Sequence, residues 1–508
     1  MESAMVKEGG KNFSFAKAGM ILLGLTLVSK FLAFGRELAI AAYFGSNADT
    51  DSFFIANGLI ANVVYGLSTA LAVAFLPVYI EEKTKKGKIY GDKFAGRCIL
   101  FFFLISIVIS VLLCIVSDPL VKIIAPSVSM QQGEQISFFI RILSAGLIFS
   151  LLNSFTCSLL DAERIFGYSA FSGIIYNATV IVTAVFFSRI YGIVALVVAV
   201  AGAHVLQFAL SGWRSRGFIS FHFPLKNDPR LWNMLLISLP ILLSNTTVEI
   251  NQVINRALAV QLGKGVVSAF SYASTLSMFV TSTLVYSLVT IFFTEFSRVA
   301  CSEDGTEKIK NLLRSALNIL FLLLLPLTLI SVFFTEDIVF IALKRGRFSA
   351  DDVLLTAQGL RYLVIGFVGI VCKALFTKCF ISMKDTRSPM MISIGEVCLN
   401  IILALILYQK FQIAGITAAL AGANILAALT LFGLLHHKLG GGIIHWSSMY
   451  VVKISSSAAA AVVVLFLIHM LRGWNAWLRF PLAALAGFAA FIPVYLAEFR
   501  RGAFKLKK

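Results

Sequence analysis

The sequence predicts an all-α, polytopic membrane protein with about 14 transmembrane helices, in two six-helix lobes in parallel repeat plus two C-terminal helices. Three observations predict this fold class: 59% of the 508 residues are hydrophobic, only 13% are charged, and apolar runs of spanning length recur along the chain. A soluble domain carries about a quarter of its residues as charged side chains, so this chain lacks the polar surface that water requires. Soluble enzymes, secreted disulfide scaffolds and disordered proteins are therefore excluded.

The apolar runs divide the chain into four parts, since a membrane-spanning helix needs about 20 apolar residues. The first lobe covers residues 1–212, with spans near 17–42, 51–80, 94–117, 137–160, 168–190 and 192–212. A basic cytoplasmic linker follows at 213–231. The second lobe covers 232–437, with spans near 232–261, 267–297, 312–334, 352–380, 389–409 and 413–436. The last part, 438–508, holds a helix pair near 448–471 and 476–498 and a basic tail.

The excess of basic residues gives the chain a formal net charge of +18. Cationic loops resist translocation and collect in the cytoplasm, so the distribution of Lys and Arg predicts the orientation. With both termini in the cytoplasm, the cytoplasmic segments hold 28 of the 43 basic residues and the opposite segments hold 11. This bias predicts cytoplasmic termini, and it explains the positive charge without a nucleic-acid partner.

The two lobes share spacings that indicate a duplication. Arg164 is followed by Asn177, and Arg387 by Asn400, at an offset of 223 residues. Two longer segments, ending in AFLPVYIEE and IFFTEFSR, match at an offset of 217 residues. Transporters built from parallel repeats bind substrate between the two lobes and rock the lobes to alternate access. The pattern therefore favours a transporter over a channel or a structural protein.

Several ionisable side chains lie inside the predicted spans. They are Lys30, Arg36 and Glu37 in the first span, Asp51 at the start of the second, and Glu249 and Arg256 in the seventh. A charge at mid-bilayer costs at least about 2.5 to 3.5 kcal/mol on insertion scales, so this set predicts a hydrated cavity between the lobes. Polar neighbours on spans two and seven support the cavity: Asn57, Asn62, Asn251 and Asn255.

Two interpretations of these charges stay open. In the structural one, Arg36 pairs with Glu37, and Arg256 pairs with Glu249 or snorkels to the interface. In the functional one, the cavity is cationic and suits an anionic ligand such as phosphate or pyrophosphate, which guanidinium groups bind through bidentate hydrogen bonds. The candidate binding residues are Lys30, Arg36, Asp51, Asn57, Asn62, Asn251, Asn255 and Arg256. Lys373 and Glu396, in spans ten and eleven, are interpreted as a structural pair.

Motifs for chemistry on a cofactor are absent from the sequence. It holds no GxxxxGK[ST], HExxH or GxSxG and no acidic cluster that would hold magnesium. The seven cysteines form no CxxC pair and are interpreted as reduced packing residues. We therefore expect a protein that is not an enzyme, without a metal or cofactor, in which an ion gradient, the membrane potential or the substrate gradient drives transport.

Three segments resemble the signatures of one transporter family. They are SKFLAFGRELAIAAYFGSNADTDSFFIA at 29–56, KRGRFSADD at 344–352 and KDTRSP at 384–389. In order and position they resemble the MurJ (MviN) family of lipid-linked peptidoglycan precursor flippases, within the multidrug/oligosaccharidyl-lipid/polysaccharide exporter superfamily. The resemblance extends over the whole chain.

The resemblance implies a 14-helix fold with a cationic central cavity and a lipid-tail groove formed by the last helix pair. It implies lipid II as substrate, an undecaprenyl-pyrophosphate that carries a disaccharide-pentapeptide. Arg36 matches a required arginine of the family, Lys30 stands at another arginine position, and Asp51 matches an acidic one. These matches make Lys30 and Arg36 the expected pyrophosphate ligands, with Arg256 assisting.

Two basic positions of the family are uncharged here, one at Val63 or Val64 and one at Thr275. A flippase for another lipid-linked oligosaccharide, of the exopolysaccharide type, therefore stays open as an alternative. A cation-coupled drug exporter is less favoured because the cavity is net positive, and a membrane-embedded glycosyltransferase lacks paired carboxylates in a large external loop. The leading expectation is a monomeric, multi-pass flippase of the bacterial inner membrane. It would move lipid II from the inner to the outer leaflet for peptidoglycan synthesis, cell-wall biogenesis and cell shape.

Overall fold

The structure of the protein is a computed structural model that describes residues 2–220, 229–282, 286–300, 305–442, 448–471 and 473–500. Seventeen α-helices and one 3₁₀ turn make up the regular structure of these residues, and no strand occurs among them. The predicted all-α class is confirmed. Contacts divide the chain into unit 1, Met1–Ser268, and unit 2, Ala269–Lys508.

Unit 1 contains seven complete helices and the first turn of an eighth. They are α1 Glu2–Phe44, α2 Ala48–Lys86, α3 Lys88–Ile124, α4 Met130–Ala162, α5 Tyr168–Phe186, α6 Ser188–Ser215 and α7 Pro229–Val260, followed by the start of α8 Val266–Val280. The central helix is α4, which packs against α2, α3 and α6, while α1 packs against α5 and α7 packs against α2. The predicted boundary between lobes at 212 and 232 stays a prediction, and the contacts place α7 with unit 1.

An aromatic cluster holds α2, α3 and α4 together. The Phe75 ring stacks on Phe94 at 6.0 Å between centroids and meets Phe155 edge-on at 4.7 Å. All three rings are almost completely buried. Aromatic pairs in these arrangements contribute about 0.5 to 1.5 kcal/mol beyond the burial of their area. The cluster therefore fixes the positions of the helices that surround the polar interior of unit 1.

Unit 2 contains the remaining helices. They are most of α8, then α9 Tyr286–Val299, α10 Gly305–Phe333, α11 Thr335–Leu343, α12 Ala350–Ile365, α13 Phe367–Ser382, α14 Arg387–Lys438, α15 Ser448–Met470, α16 Ala476–Ala489 and α17 Ile492–Arg500. Both α12 and α13 pack against α14, and α10 packs against α13, α15 and α16. The long α14 breaks at Gln412 (φ 52°), so it comprises two of the predicted spans.

The two units repeat the same structure at an offset of 220 residues. Ser129 caps α4 and Ser349 caps α12, and in each cap the serine Oγ accepts a hydrogen bond from the N–H three residues later. After α4 and after α13, Arg164 (φ 60°) and Lys384 (φ 61°) turn the chain, and the next N–H bonds to the carbonyl five residues earlier in both loops. The backbone breaks at Gly192 and Gln412 have the same offset.

A close helix contact recurs at the same offset. A Cβ on Gly146 would lie 2.9 Å from the Ala201 Cα, and a Cβ on Gly366 would lie 3.0 Å from the Ala421 Cα. Small residues let helix backbones approach closely in membranes, where packing drives association. These coincidences support the predicted duplication. The offset of 223 that pairs Asn177 with Asn400 is wrong by three residues, which is close to one helical turn.

The number of spans stays a prediction. Nine helices of the described residues are long and apolar enough to cross a membrane, or ten if α12 and α13 form one span bent by 41°. The predicted span at 352–380 is therefore two helices that meet at Gly366. The span predicted at 476–498 covers α16 and α17, which count together as one candidate span at Ala476–Leu496. The span predicted at 267–297 covers α8 and α9, and residues 283–285 between them lie outside the described residues.

Candidate substrate-binding site

Arg36 lies on α1, and its guanidinium group contacts three other side chains. Its Nε donates to Glu37 Oε1 at 3.1 Å, and its Nη1 donates to Asn177 Oδ1, on α5, also at 3.1 Å. The guanidinium carbon lies 5.3 Å from the centre of the Tyr176 ring, a cation–π distance. The Arg36 side chain keeps 24% exposure, whereas Glu37 is 5% exposed. The charge is thus fixed in place and remains accessible.

The predicted pair of Arg36 and Glu37 forms, and Asn177 is a partner that the sequence did not indicate. Asn177 also donates to the carbonyl oxygens of Gly173 (2.8 Å) and Ser29 (3.3 Å). It therefore ties α5 to α1 at the level of Arg36. Lys30 lies six residues before Arg36 and is half-buried. Six residues turn an α-helix by about 600°, so the two side chains leave α1 on different faces.

Asp51 lines a cavity of about 300 Å³, but its carboxylate is hydrogen-bonded within the protein. Its Oδ1 accepts hydrogen bonds from the backbone N–H and the hydroxyl of Ser268, both at 2.7 Å, and its Oδ2 accepts from the N–H of Gly265. These groups lie at the N-terminus of α8, where backbone N–H groups lack partners within the helix. Asp51 is 3% exposed. Its observed contacts are those of a helix cap supplied by α2.

We expect Asp51→Ala to lower the melting temperature of the purified protein, because it leaves buried N–H groups unpaired. Each such group costs about 1 to 3 kcal/mol. Asp49→Ala is the matched control, since Asp49 lies on the same turn but is exposed and accepts one bond, from Gln135 Nε2 at 2.9 Å. Equal melting temperatures for the two variants in a fluorescence unfolding assay would contradict the capping role.

The second group of predicted residues joins α2 to α7. The hydrogen-bond network orients the Asn62 amide so that Nδ2 donates to Glu249 Oε2 at 2.8 Å and to the Gly58 carbonyl at 3.0 Å. Arg256 follows Glu249 by seven residues, two turns of α7. Its Nε and Nη1 are buried and have no hydrogen-bond partner among the described residues. The Arg256 guanidinium packs on Gly58, where a Cβ would lie 2.2 Å from Nη1.

The two asparagines predicted on α7 are buried. Asn251 is 7% exposed and Asn255 is fully buried. Because these side chains are on the inner face of α7, they support the predicted polar character of this helix. The structure therefore brings Asn62, Glu249 and Arg256 together, and it holds Arg36 and Asp51 in separate hydrogen-bonded groups.

Asn57 lines a cavity of about 520 Å³ inside unit 1, which we call the unit 1 cavity. Its walls come from α2, α4, α5 and α6, and its polar lining includes Asn57, Ser68, Asn153, Asp161, Ser172, Tyr176, His204 and Gln207. Of these, only Asn57 was predicted. The others were missed because isolated polar residues in or beside apolar runs give no signal of their own. The uncharged Val64 also lines this cavity.

A half-buried ion pair in unit 2 confirms one structural interpretation. Lys373 Nζ donates to both carboxylate oxygens of Glu396, at 2.7 and 2.9 Å, and to Asn424 Oδ1 at 2.8 Å. This arrangement satisfies the ammonium group within the protein. Among the described residues, no group of three or more His, Cys, Asp or Glu side chains is arranged to hold a metal ion.

The fold and these intramembrane charges define a class: a multi-spanning transporter built from two structural repeats. The fold matches a solved lipid II flippase MurJ in an inward closed conformation, with a TM-score of 0.81, 21% identity and coverage of 95% of this chain and 99% of that one. It also matches an inward-facing multidrug resistance MATE transporter of the MOP superfamily, with a TM-score of 0.69, 16% identity and coverage of 83% and 98%.

The family model described as lipid II flippase MurJ matches residues 40–484, so the chain belongs to the MurJ family of lipid II flippases. A probable lipid II flippase MurJ of Rickettsia prowazekii is 28% identical over 440 residues, which are 83% of this chain and 84% of the relative. The lipid II flippase MurJ of Burkholderia cenocepacia is 27% identical over 429 residues, 82% and 83% of the two chains. Lys30 and Arg36 lie before residue 40 and outside the matched range, so the match does not bear on these two residues. Their roles are inferred from their charge and their contacts.

Proposed function

We propose that this chain moves lipid II from the inner to the outer leaflet of the bacterial cytoplasmic membrane, for peptidoglycan synthesis. Membership of the MurJ family supports this substrate. The geometric observation that carries the proposal is Arg256, whose Nε and Nη1 are buried and have no hydrogen-bond partner among the described residues. Buried polar groups in folded proteins are almost always hydrogen-bonded, and phosphate oxygens are suitable partners for a guanidinium group.

In this proposal Arg36 and Arg256 bind the pyrophosphate and Lys30 adds a positive charge nearby. The headgroup enters from the cytoplasm, the lobes rock, and the headgroup leaves on the outer face while the prenyl tail stays in lipid. The chain acts as a monomer, without catalytic residues or a nucleic-acid partner. An ion gradient or the membrane potential drives the cycle.

A flippase for another lipid-linked oligosaccharide is the second candidate. The observation that favours it is the absence of charge at two positions, one at Val63 or Val64 and one at Thr275, where the resemblance to the family implies basic residues. Fewer cations would suit a headgroup with fewer negative charges. Both candidates share the pyrophosphate, so the test of the function has to vary the glycan.

We expect the chain to restore growth to a bacterial strain depleted of its own lipid II flippase. Growth requires lipid II on the outer face of the membrane. An accessibility assay for outward-facing lipid II in these cells therefore measures flipping directly. Arg256→Ala at equal membrane level is the negative control, because it removes the cation that carries the proposal. Failure to restore growth, together with restored export of an exopolysaccharide in a flippase-deficient strain, would select the second candidate.

The orientation is a separate proposal, motivated by the bias of 28 basic residues to 11. We propose that both termini and the C-terminal end of α2, at Lys86, face the cytoplasm. In a variant without native cysteines, we expect Lys86→Cys to react with a membrane-impermeant maleimide only after the membrane is opened. Labelling of this position in intact spheroplasts would reverse the assignment of every loop.

A further inference from the structure

The lining of the unit 1 cavity does not suit a phosphate. Asp161 is the only Asp, Glu, Lys or Arg among the described lining residues, and the rest of the polar lining is uncharged. A pyrophosphate in this cavity would face a carboxylate, with no cation among the described lining residues. At 4 Å and an effective dielectric constant of 20, two like unit charges repel by about 4 kcal/mol. The cavity therefore fits a neutral, polar ligand.

Three neutral side chains of the lining are available for hydrogen bonds with a ligand. The Asn57 amide, the Ser68 hydroxyl and the Tyr176 hydroxyl have no hydrogen-bond partner among the described residues, and the Ser68 hydroxyl oxygen is completely buried. An amide offers two donors and one acceptor, and each hydroxyl offers both. Such a mixture of donors and acceptors matches the hydroxyl and acetamido groups of a sugar.

Other polar residues fix the wall that faces these groups. Gln207 donates to the Ser172 carbonyl at 2.9 Å and pairs with His204 Nδ1 at 2.8 Å. Asn153 donates to the Ser172 hydroxyl at 3.0 Å. The hydrogen bonds join α4, α5 and α6, so the cavity is preorganised rather than formed by loose side chains. Its volume of about 520 Å³ lies within the range of small-molecule sites.

Tyr176 connects the cavity to Arg36. The centre of the Tyr176 ring lies 5.3 Å from the Arg36 guanidinium carbon. Tyr176 also lines the cavity together with His204, and the centroids of these two rings are 5.2 Å apart. A ligand with a negative group at Arg36 can therefore place the adjoining neutral group in the cavity. In a lipid-linked glycan, the first sugar is bonded directly to the pyrophosphate.

We propose that the unit 1 cavity binds the uncharged carbohydrate part of the headgroup, while Arg36 binds the pyrophosphate to which that carbohydrate is attached. The proposal rests on the proposed function, because it assumes a lipid-linked glycan as substrate. The charged pyrophosphate and the uncharged carbohydrate thus occupy two neighbouring subsites of unit 1. The peptide of lipid II lies outside the cavity.

The test compares three ligands on the full-length protein in lipid nanodiscs: undecaprenyl pyrophosphate, the same carrier with the disaccharide, and lipid II with its pentapeptide. We expect Asn57→Leu to weaken binding of both sugar-bearing ligands about tenfold and to leave binding of the bare carrier unchanged. Tyr176→Phe, which keeps the ring beside Arg36, should weaken the same two ligands by a smaller factor. Asn311→Leu, at an exposed position of α10, is the matched control and should change nothing.

The outcomes separate this proposal from the proposed function. Equal affinity of the wild type for the bare carrier and the disaccharide carrier would overturn the sugar subsite while leaving a pyrophosphate transporter intact. An equal loss for all three ligands in Asn57→Leu would also overturn it. A loss confined to the pentapeptide ligand would place the peptide in the cavity instead. Absence of binding of every carrier by the wild type would contradict the proposed function itself.

Discussion

The double variant Arg36→Gln with Glu37→Gln is expected to abolish flipping while its level in the membrane stays near that of the wild type. Arg36→Ala alone would leave the Glu37 carboxylate buried and unpaired, and breaking a buried pair in this way costs about 3 to 5 kcal/mol. The double variant removes both charges and keeps polar groups able to bond to each other and to Asn177. A loss of function then reports the missing charge rather than a misfolded protein.

The measurement combines growth of the flippase-depleted strain with the amount of protein in the membrane fraction. Arg479→Gln with Asp337→Asn is the matched control, since it neutralises another buried pair, whose Arg479 Nε lies 2.9 Å from Asp337 Oδ2 in unit 2. Arg36→Lys should retain part of the activity, because lysine keeps the charge but lacks the bidentate fork. Normal growth of the Arg36 and Glu37 double variant would show that this pair is structural only.

The fold class could be predicted from composition because few backbone structures are stable within a bilayer. A chain with 13% charged residues cannot cover itself in water, and a helix satisfies its own backbone within lipid. The same reasoning predicts that Lys373 finds a carboxylate, and Glu396 is that partner. Charges within the membrane are predictable since their cost leaves them few possible environments.

Breaks within the spans were not predictable from hydropathy. The segment 352–380 is predicted as one span, yet the helix bends by 41° between α12 and α13. Gly366 stands at this bend, where the Ala421 backbone approaches too closely for a side chain. In the sequence, a glycine that marks a helix bend cannot be distinguished from a glycine that only allows a close helix contact. Hydropathy alone therefore does not predict the bend.

The partner of a polar residue is also hidden when it is far away in sequence. Asp51 caps residues 214 and 217 positions later, and Asn177 meets Arg36 from 141 positions away. Sequence reasoning identified the acidic residue and the arginine, but it had no means to find contacts across the bundle. The sequence left a structural and a ligand role open for Asp51, and the hydrogen bonds that Asp51 makes in the structure are those of a helix cap.

Gly58→Ala is expected to reduce flipping to the level of Arg256→Ala, although Gly58 carries no functional group. A Cβ at this position would lie 2.2 Å from Arg256 Nη1 and 2.5 Å from Cζ, so the guanidinium group has to move. The displaced atoms are the end of a flexible side chain, and the helix backbones can stay in place. We therefore expect an unchanged melting temperature and a displaced cation. Gly66→Ala, on the same helix with no atom within 4 Å, is the matched control.

A double-variant cycle decides whether Gly58 acts through Arg256. Two changes that act on one interaction are not additive, whereas independent effects add within about 0.3 to 0.5 kcal/mol. If the methyl group acts only by moving the guanidinium, then Gly58→Ala with Arg256→Ala should flip lipid II no more slowly than Arg256→Ala alone. A further loss in the double variant would assign the effect to the packing of α2 on α7. Full activity of Arg256→Ala itself would remove this arginine from the pyrophosphate site and leave Arg36 and Lys30 as its cations.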